Sequence, residues 1–329
     1  MPEPSNRVTV EPERPAGSLW GLRLRWLLGI VGLCALGFIV WRTGAGAILA
    51  ALKPALVFLP ALATLELLRA VAESSATYLA LGTHGKAVPR TTLLRAHIIG
   101  ASLSALAPAP RVVNESIKAT YFVPYVGVPA ATSVGFINQA ATLSGVGLFS
   151  VPCALAVLVT AGASVWFWAL AVHAVVLVGS GLALRGATRA SFVGRVLARR
   201  FPGLADRTRA FQEHATQGSA WSTGPTLALV AGRAVQMLQY GIAAHAVGID
   251  AGVLQALAAE GVALVAGSVG VLVPGGVGTT DGAFTMAAGM LGTTAVRATS
   301  LSLLMRCMQL VWLLVGSLLA LLPSRPAPT

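Results

Sequence analysis

Two apolar runs, 252–273 and 295–322, are joined by a stretch through which no ordinary helix can continue. It reads Leu272-Val273-Pro274-Gly275-Gly276-Val277-Gly278-Thr279-Thr280-Asp281-Gly282. Pro274 has no backbone N–H to donate, and glycine is the poorest helix former after proline. In hydrocarbon each unsatisfied backbone group costs several kcal/mol. A broken segment at membrane depth therefore survives only inside protein or beside a water-filled cavity. Asp281 adds a carboxylate at the same place, and ionisable groups within a bilayer mark functional sites by default. Taken alone, the stretch fits equally well a tight extracytoplasmic loop with a solvated Asp281. The rest of the chain weighs on that choice.

Of the 329 residues 56% are apolar and only 10% charged, and mean hydropathy is +0.78. That excludes a soluble globular domain and points to a polytopic helical membrane protein. The net charge of +12 would suggest nucleic acid as a partner of a soluble protein. Here the positive charge is concentrated in loops, where it orients the chain and attracts anionic lipid head groups, so nucleic acid is not expected. Cys34, Cys153 and Cys307 all lie in apolar runs and no CxxC occurs. Disulfides, zinc and thiol catalysis have no support, and neither a metal nor a cofactor is expected.

The amino-terminal tail is polar and Pro-rich, unlike a cleavable signal peptide. A first span is expected at 26–41, and Arg7, Arg14, Arg23 and Arg25 before it favour a cytoplasmic amino terminus. The apolar segment 55–81 carries Glu66, Arg69 and Glu73 at spacings of three and four. All three fall on one helix face, which should point into the bundle, where Arg69 can pair with either acid. The short apolar segment 91–107 contains Arg95 and His97 and runs into Pro108 and Pro110. Arg111, Glu115 and Lys118 follow at helical spacing. Further spans are read at 130–160 and 163–184, the second with Trp166 and Trp168 near one end, as in an interfacial belt. His97 and His173 are read as structural.

The connection 185–223 holds Arg185, Arg189, Arg195, Arg199, Arg200, Arg207 and Arg209 against Asp206 and Glu213, and is expected to be cytoplasmic. Spans at 224–247, with Arg233, Gln236 and Gln239, and at 252–273, with Glu260, precede the broken stretch. The last span carries Arg306 near its middle. The halves echo each other: an apolar segment runs into Pro108 and Pro110 with Glu115 beyond, and another into Pro274 with Asp281 beyond. Such paired interruptions in two halves are the best sequence pointer to a transporter's central site.

The expected fold is an all-α polytopic membrane protein with about six to eight membrane helices. They form two related halves, with broken or re-entrant segments near 91–118 and 262–290. The expected divisions are a disordered cytoplasmic tail (1–21), a first membrane half (22–184), the Arg-rich loop (185–223), a second half (224–323) and a short tail (324–329).

At both interruptions the sequence resembles the transmembrane-region family of lysylphosphatidylglycerol synthases, the flippase-like integral membrane proteins. The family pattern P-x-R-x-G-E-x-x-R meets Pro110-Arg111-Val112-Val113-Asn114-Glu115-Ser116-Ile117-Lys118, where Pro110 is adjacent to Arg111, one position short of the pattern's spacing, Asn114 stands for the Gly and Lys118 for the last Arg. The pattern P-G-G-x-G-x-x-E meets Pro274-Gly275-Gly276-Val277-Gly278-Thr279-Thr280-Asp281, with Asp281 for Glu. Arg306 fits the family's mid-span Arg. The resemblance implies translocation of a charged or glycosylated lipid, with Arg111, Glu115, Lys118, Pro274, Gly275, Gly276, Gly278, Asp281 and Arg306 around the head group.

The expected function is a flippase-like transporter moving a phospholipid or polyprenyl-phosphate-linked (glyco)lipid for envelope biogenesis in a bacterial inner membrane. No catalytic residue is expected. The chain given ends shortly after its last apolar run, so lipid aminoacylation by this chain is not expected. The alternatives are a non-catalytic partner of a membrane glycosyltransferase and an intramembrane enzyme acting on a lipid phosphate.

Overall fold

The structure is a computed structural model that describes residue 30 and residues 45–105, 107, 110–190, 205–216, 222–272 and 278–323. The expected first span at 26–41 and the tails at 1–21 and 324–329 lie outside the described residues, Ile30 aside. All regular structure among the described residues is helical, and five helices there are long and apolar enough to cross a membrane.

In chain order the helices are α1 (Ala45–Ala55), α2 (Leu59–Leu81), α3 (Arg90–Ser104), α4 (Pro110–Ala161), α5 (Val165–Arg189) and α6 (Ala205–Thr216). Then come α7 (Thr223–Ala246), α8 (Val253–Val269), α9 (Thr279–Met286) and α10 (Ala295–Leu321). Pro60 opens α2 in the first turn, where its missing N–H costs nothing. Thr294 caps α10 by accepting from Arg297 N.

The 52 residues of α4 are two helical limbs, 110–126 and 128–161. Gly127 separates them with φ 76° and ψ 166°, which only glycine adopts without strain. Pro124 and Pro129 flank it and remove two further helix donors. Asn138 Nδ2 donates to Glu115 Oε1 at 2.7 Å across 23 positions. A straight helix would hold those residues about 34 Å apart. The chain therefore folds back at Gly127.

Each interrupted segment is a helix–break–helix hairpin. The first is α3, the break at 105–109 and the first limb of α4. Leu93 and Ala96 of its outgoing arm pack with Phe122 of its return arm, and with Leu81 of α2 and Val134 of the second limb. The second is α8, the break after Val269 and α9. The side chain of Thr279 lies so close to Gly270 that a Cβ there would clash with it.

The hairpins stand at opposite ends of α10. Arg95, near the root of the first, donates to the carbonyls of Leu319, Leu322 and Pro323, at 2.8 Å for Leu319 and 2.9 Å for Pro323. The turn at Gly248, leading into the second hairpin, comes within 3.9 Å of Arg297 at the other end. The 27 residues of α10 span about 40 Å. Described residues flanking both breaks line one shared cavity between these ends.

Close helix packing relies on small residues, as expected where hydrocarbon on both sides removes the hydrophobic driving force between helices. A Cβ on Gly147 of α4 would lie 2.8 Å from Val178 N of α5. One on Gly316 of α10 would lie 2.5 Å from Ser102 Cβ of α3. The core joins α8, α9, α10, α7 and the second limb of α4 through residues such as Val157, Val262, Phe284 and Leu304, all fully buried. Helix α6 lies against the root of the first half. Phe211 meets Phe136 edge-on at 5.7 Å, and the rings of His214 and His84 are 4.7 Å apart.

Candidate functional site

A polar cavity of about 410 Å3 lies where the two breaks converge. The first hairpin contributes Ser104, Ala105, Ala107, Pro110, Arg111 and Asn114; the second contributes Gly267, Gly270, Val271 and Thr280. Helices α2, α7, α8 and α10 supply the charged and amide walls: Glu66, Arg69 and Glu73; Arg233, Gln236 and Gln239; Glu260; and Arg306 and Gln309. Breaking both helices here matches the requirement that irregular backbone at depth line a cavity.

The charges fall into pairs with one exception. Arg69 engages both acids on its own face: Nε donates to Glu66 Oε2 at 3.1 Å, Nη2 contacts Glu66 Oε1, and Nη1 donates to Glu73 Oε1 at 2.6 Å. Glu73 Oε2 also lies 3.4 Å from His97 Nε2 on α3, so the triad ties α2 to the first hairpin. Arg306 Nη2 donates to Asp281 Oδ2 at 2.7 Å, while Ser302 donates to Oδ1 at 2.7 Å. Gly278 N donates to the same Asp281 Oδ2 at 3.0 Å, so the carboxylate also caps α9. Arg233 donates to Gln236 at 2.5 Å and stands 3.6 Å from Glu260. Glu260 is fully buried and neither of its oxygens has a hydrogen-bond donor among the described residues.

Arg111 is the exception. It lines the cavity, yet makes no ion pair or hydrogen bond among the described residues. It stands at the first turn of the return arm, just past the break, and Pro110 starts that helix.

The residues expected around a head group are thus divided. Arg111 and Arg306 line the cavity, and Asp281 and Gly278 hold the second hairpin beside it. Glu115 and Lys118 do not line it. Lys118 is 2% exposed, pairs with Glu115 Oε1 at 2.5 Å and reaches Thr77 Oγ1 of α2 at 3.5 Å. The two close the root of the hairpin. Lys118 lies seven residues along the arm from Arg111, about 10 Å deeper into the packing. There α2 and the second limb of α4 cover the face that is open at Arg111. Pro274, Gly275 and Gly276 lie outside the described residues. Glu66, Arg69 and Glu73, a separate cluster in the sequence reading, belong to the same cavity wall.

Arg233, Gln236, Gln239 and Glu260 were visible in the sequence as polar residues inside spans but belonged to no motif. Their signal was depth alone, since polar residues inside spans face a bundle interior or a cavity. His173 bridges helices outside the cavity: Nδ1 lies 2.9 Å from Ser150 Oγ and Nε2 lies 2.8 Å from Ser268 Oγ. Among the described residues no group of three or more His, Cys, Asp or Glu is placed to hold a metal ion.

Paired hairpins meeting at a charged centre inside a bundle of apolar helices define a polytopic α-helical membrane protein built around an internal polar site. The family model described as Lysylphosphatidylglycerol synthase TM region matches residues 17–316, and the chain belongs to that family. No curated protein and no solved structure matches the chain.

Proposed function

We propose that this protein is a flippase-like transporter that carries the head group of a phosphate-bearing lipid, a phospholipid or a polyprenyl-phosphate-linked (glyco)lipid, through the cavity between its hairpins. The observation that carries this reading is Arg111, a cation without a partner among the described residues on the wall of a polar cavity at membrane depth. Leaving a charge unpaired in such a place is costly, and a phosphate offers the compensation. A guanidinium accepts phosphate in bidentate geometry, which a compact ammonium does not provide.

The other charges suit a carrier. Arg69 and Arg306 face three carboxylates, Glu66, Glu73 and Asp281, an excess of one negative charge, so they add no net attraction for an anion and do not trap the cargo. Arg233 is held more loosely, at 3.6 Å from Glu260, and can turn towards an anion. The oxygens of Glu260, released from Arg233, then offer acceptors to a hydroxyl or amine of the head group. Nothing in this sequence of contacts makes or breaks a covalent bond, and the reading is transport, not catalysis. The opposed hairpins supply the expected moving parts for alternating access. On the positive-inside argument, the side carrying α6 is cytoplasmic.

The test is lipid mass spectrometry on gently solubilised protein, wild type against Arg111→Ala, followed by leaflet-to-leaflet movement of the retained species in reconstituted vesicles. Selective retention of one phosphate-bearing lipid, lost in the variant, supports the proposal. Equal retention and equal movement by both proteins would remove Arg111 from the path and sink this reading.

A further inference from the structure

The polar cavity has an apolar neighbour. A groove of about 430 Å3 runs between the two limbs of α4. The first limb lines it with residues 112, 116, 119, 120 and 123, and the second with 128, 131, 132, 135 and 136. Each set follows helical spacing, so one face of each limb forms a wall. The fold at Gly127 creates the space, because a continuous helix would have no second limb to face the first. Val112 is 63% exposed, Val128 55% and Phe136 44%, so in a bilayer the groove is open to hydrocarbon. Arg111 lines both the groove and the polar cavity. Glu115 also lines the groove, but Lys118 at 2.5 Å and Asn138 at 2.7 Å occupy one of its oxygens and offset its charge.

We propose that this groove holds a hydrocarbon chain of the transported lipid while the lipid's phosphate rests on Arg111, making the fold of α4 a lateral doorway from the bilayer to the polar cavity. The inference rests on the head-group reading above. Its physical basis is that one ligand must satisfy two adjoining surfaces of opposite character. A phosphate belongs with the Arg111 guanidinium. The methylenes attached to it lose their hydrophobic stabilisation in a cavity walled by Arg69, Arg233 and Glu260, and keep it between Val112, Val128 and Phe136. The groove lies beside α6, through the Phe136–Phe211 contact, so the doorway opens to the leaflet on the side of the Arg-rich connection.

The experiment uses the full chain in vesicles of phosphatidylethanolamine and phosphatidylglycerol, with phosphatidylglycerol carrying a photoreactive diazirine on one acyl chain. Labelled positions are mapped by peptide mass spectrometry. Labelling should concentrate on the groove faces of α4 and fall about tenfold in Arg111→Ala, the loss expected for one charge-assisted contact. Labelling of the exposed α5 residues Val172 and Val175, which bulk lipid bathes, should not change. Groove labelling no stronger than that of α5, and indifferent to Arg111→Ala, would overturn the proposal.

Gly135→Leu is the second variant. A Cβ there meets Glu115 Cβ at 3.6 Å, an ordinary contact, so the side chain extends into the groove without disturbing backbone. It should abolish groove labelling and phosphatidylglycerol movement together. Movement at the wild-type rate in Gly135→Leu refutes the doorway and leaves transport standing. Groove labelling in a wild-type protein that moves no lipid refutes transport and leaves the groove as a lipid-binding site.

Discussion

The two hairpins share a plan and differ in how they treat their charges. The first keeps its carboxylate, Glu115, away from the cavity, bound to Lys118 and Asn138, and presents at its break Arg111, which has no ion pair among the described residues. The second uses its carboxylate at the break, where Asp281 caps its own short helix and holds Arg306 of α10. One hairpin turns a cation to the cavity and has a closed root; the other has its carboxylate fastened to a wall. On the transport reading, the first helix–break–helix device holds cargo and the second holds structure. A motif charge is assigned to one task or the other by what covers it.

That contrast can be broken from the first hairpin with the largest effect. Arg111→Ala should reduce lipid movement about tenfold or more, as for a lost charge-assisted contact, while unfolding in detergent is unchanged. A fall in both would mean that Arg111 is structural and that the hairpins do not differ as described. On the second hairpin the order reverses. Asp281→Asn removes the carboxylate that holds Arg306, whose side chain is 4% exposed. It should destabilise the protein by about 1.5–3 kcal/mol in denaturant unfolding, the range for one lost charge-assisted hydrogen bond. Lys118→Met should cost a similar amount by stranding Glu115. It should leave binding of soluble glycerophosphoglycerol to the cavity intact, which separates the closed root from the open tip.

Smaller effects sharpen the picture of how the hairpins are seated. Gly316→Ala drives a Cβ to 2.5 Å from Ser102 Cβ, and should cost about 1–3 kcal/mol by overpacking the first hairpin against α10. The mildest is His173→Phe, which severs the Ser150–His173–Ser268 link beside the second hairpin's outgoing arm. About 1 kcal/mol per lost hydrogen bond is expected, read as a lower melting temperature.

Both breaks were legible in the sequence because proline and glycine act locally. Pro110 is suited to opening a helix, and the glycines after Pro274 are poor helix formers, so local sequence alone places a break at both points. The pairing of Arg69 with Glu66 and Glu73 was legible for the same reason, since spacings of three and four fix neighbours on one face. The fold-back at Gly127 was not. An isolated glycine between Pro124 and Pro129 in an apolar run also suits a kinked single span, and only the contact of Glu115 with Asn138 decides between them. Nor could periodicity separate Arg111 from Lys118. They share a face, and what distinguishes them is the α2 and second-limb side chains that bury one of them. Arg233 and Glu260 joined the cavity through tertiary packing of α7 on α8, to which no local pattern refers.

Arg95 has a practical bearing on anyone handling this protein. Its guanidinium grips three carbonyls at the end of α10, those of Leu319, Leu322 and Pro323, from the root of the first hairpin. A purification tag or fluorescent reporter fused just beyond Pro323 would load that grip and pull directly on the arm whose tip positions Arg111. A carboxyl-terminal fusion that slows lipid movement without lowering expression would be the sign that the grip has been strained.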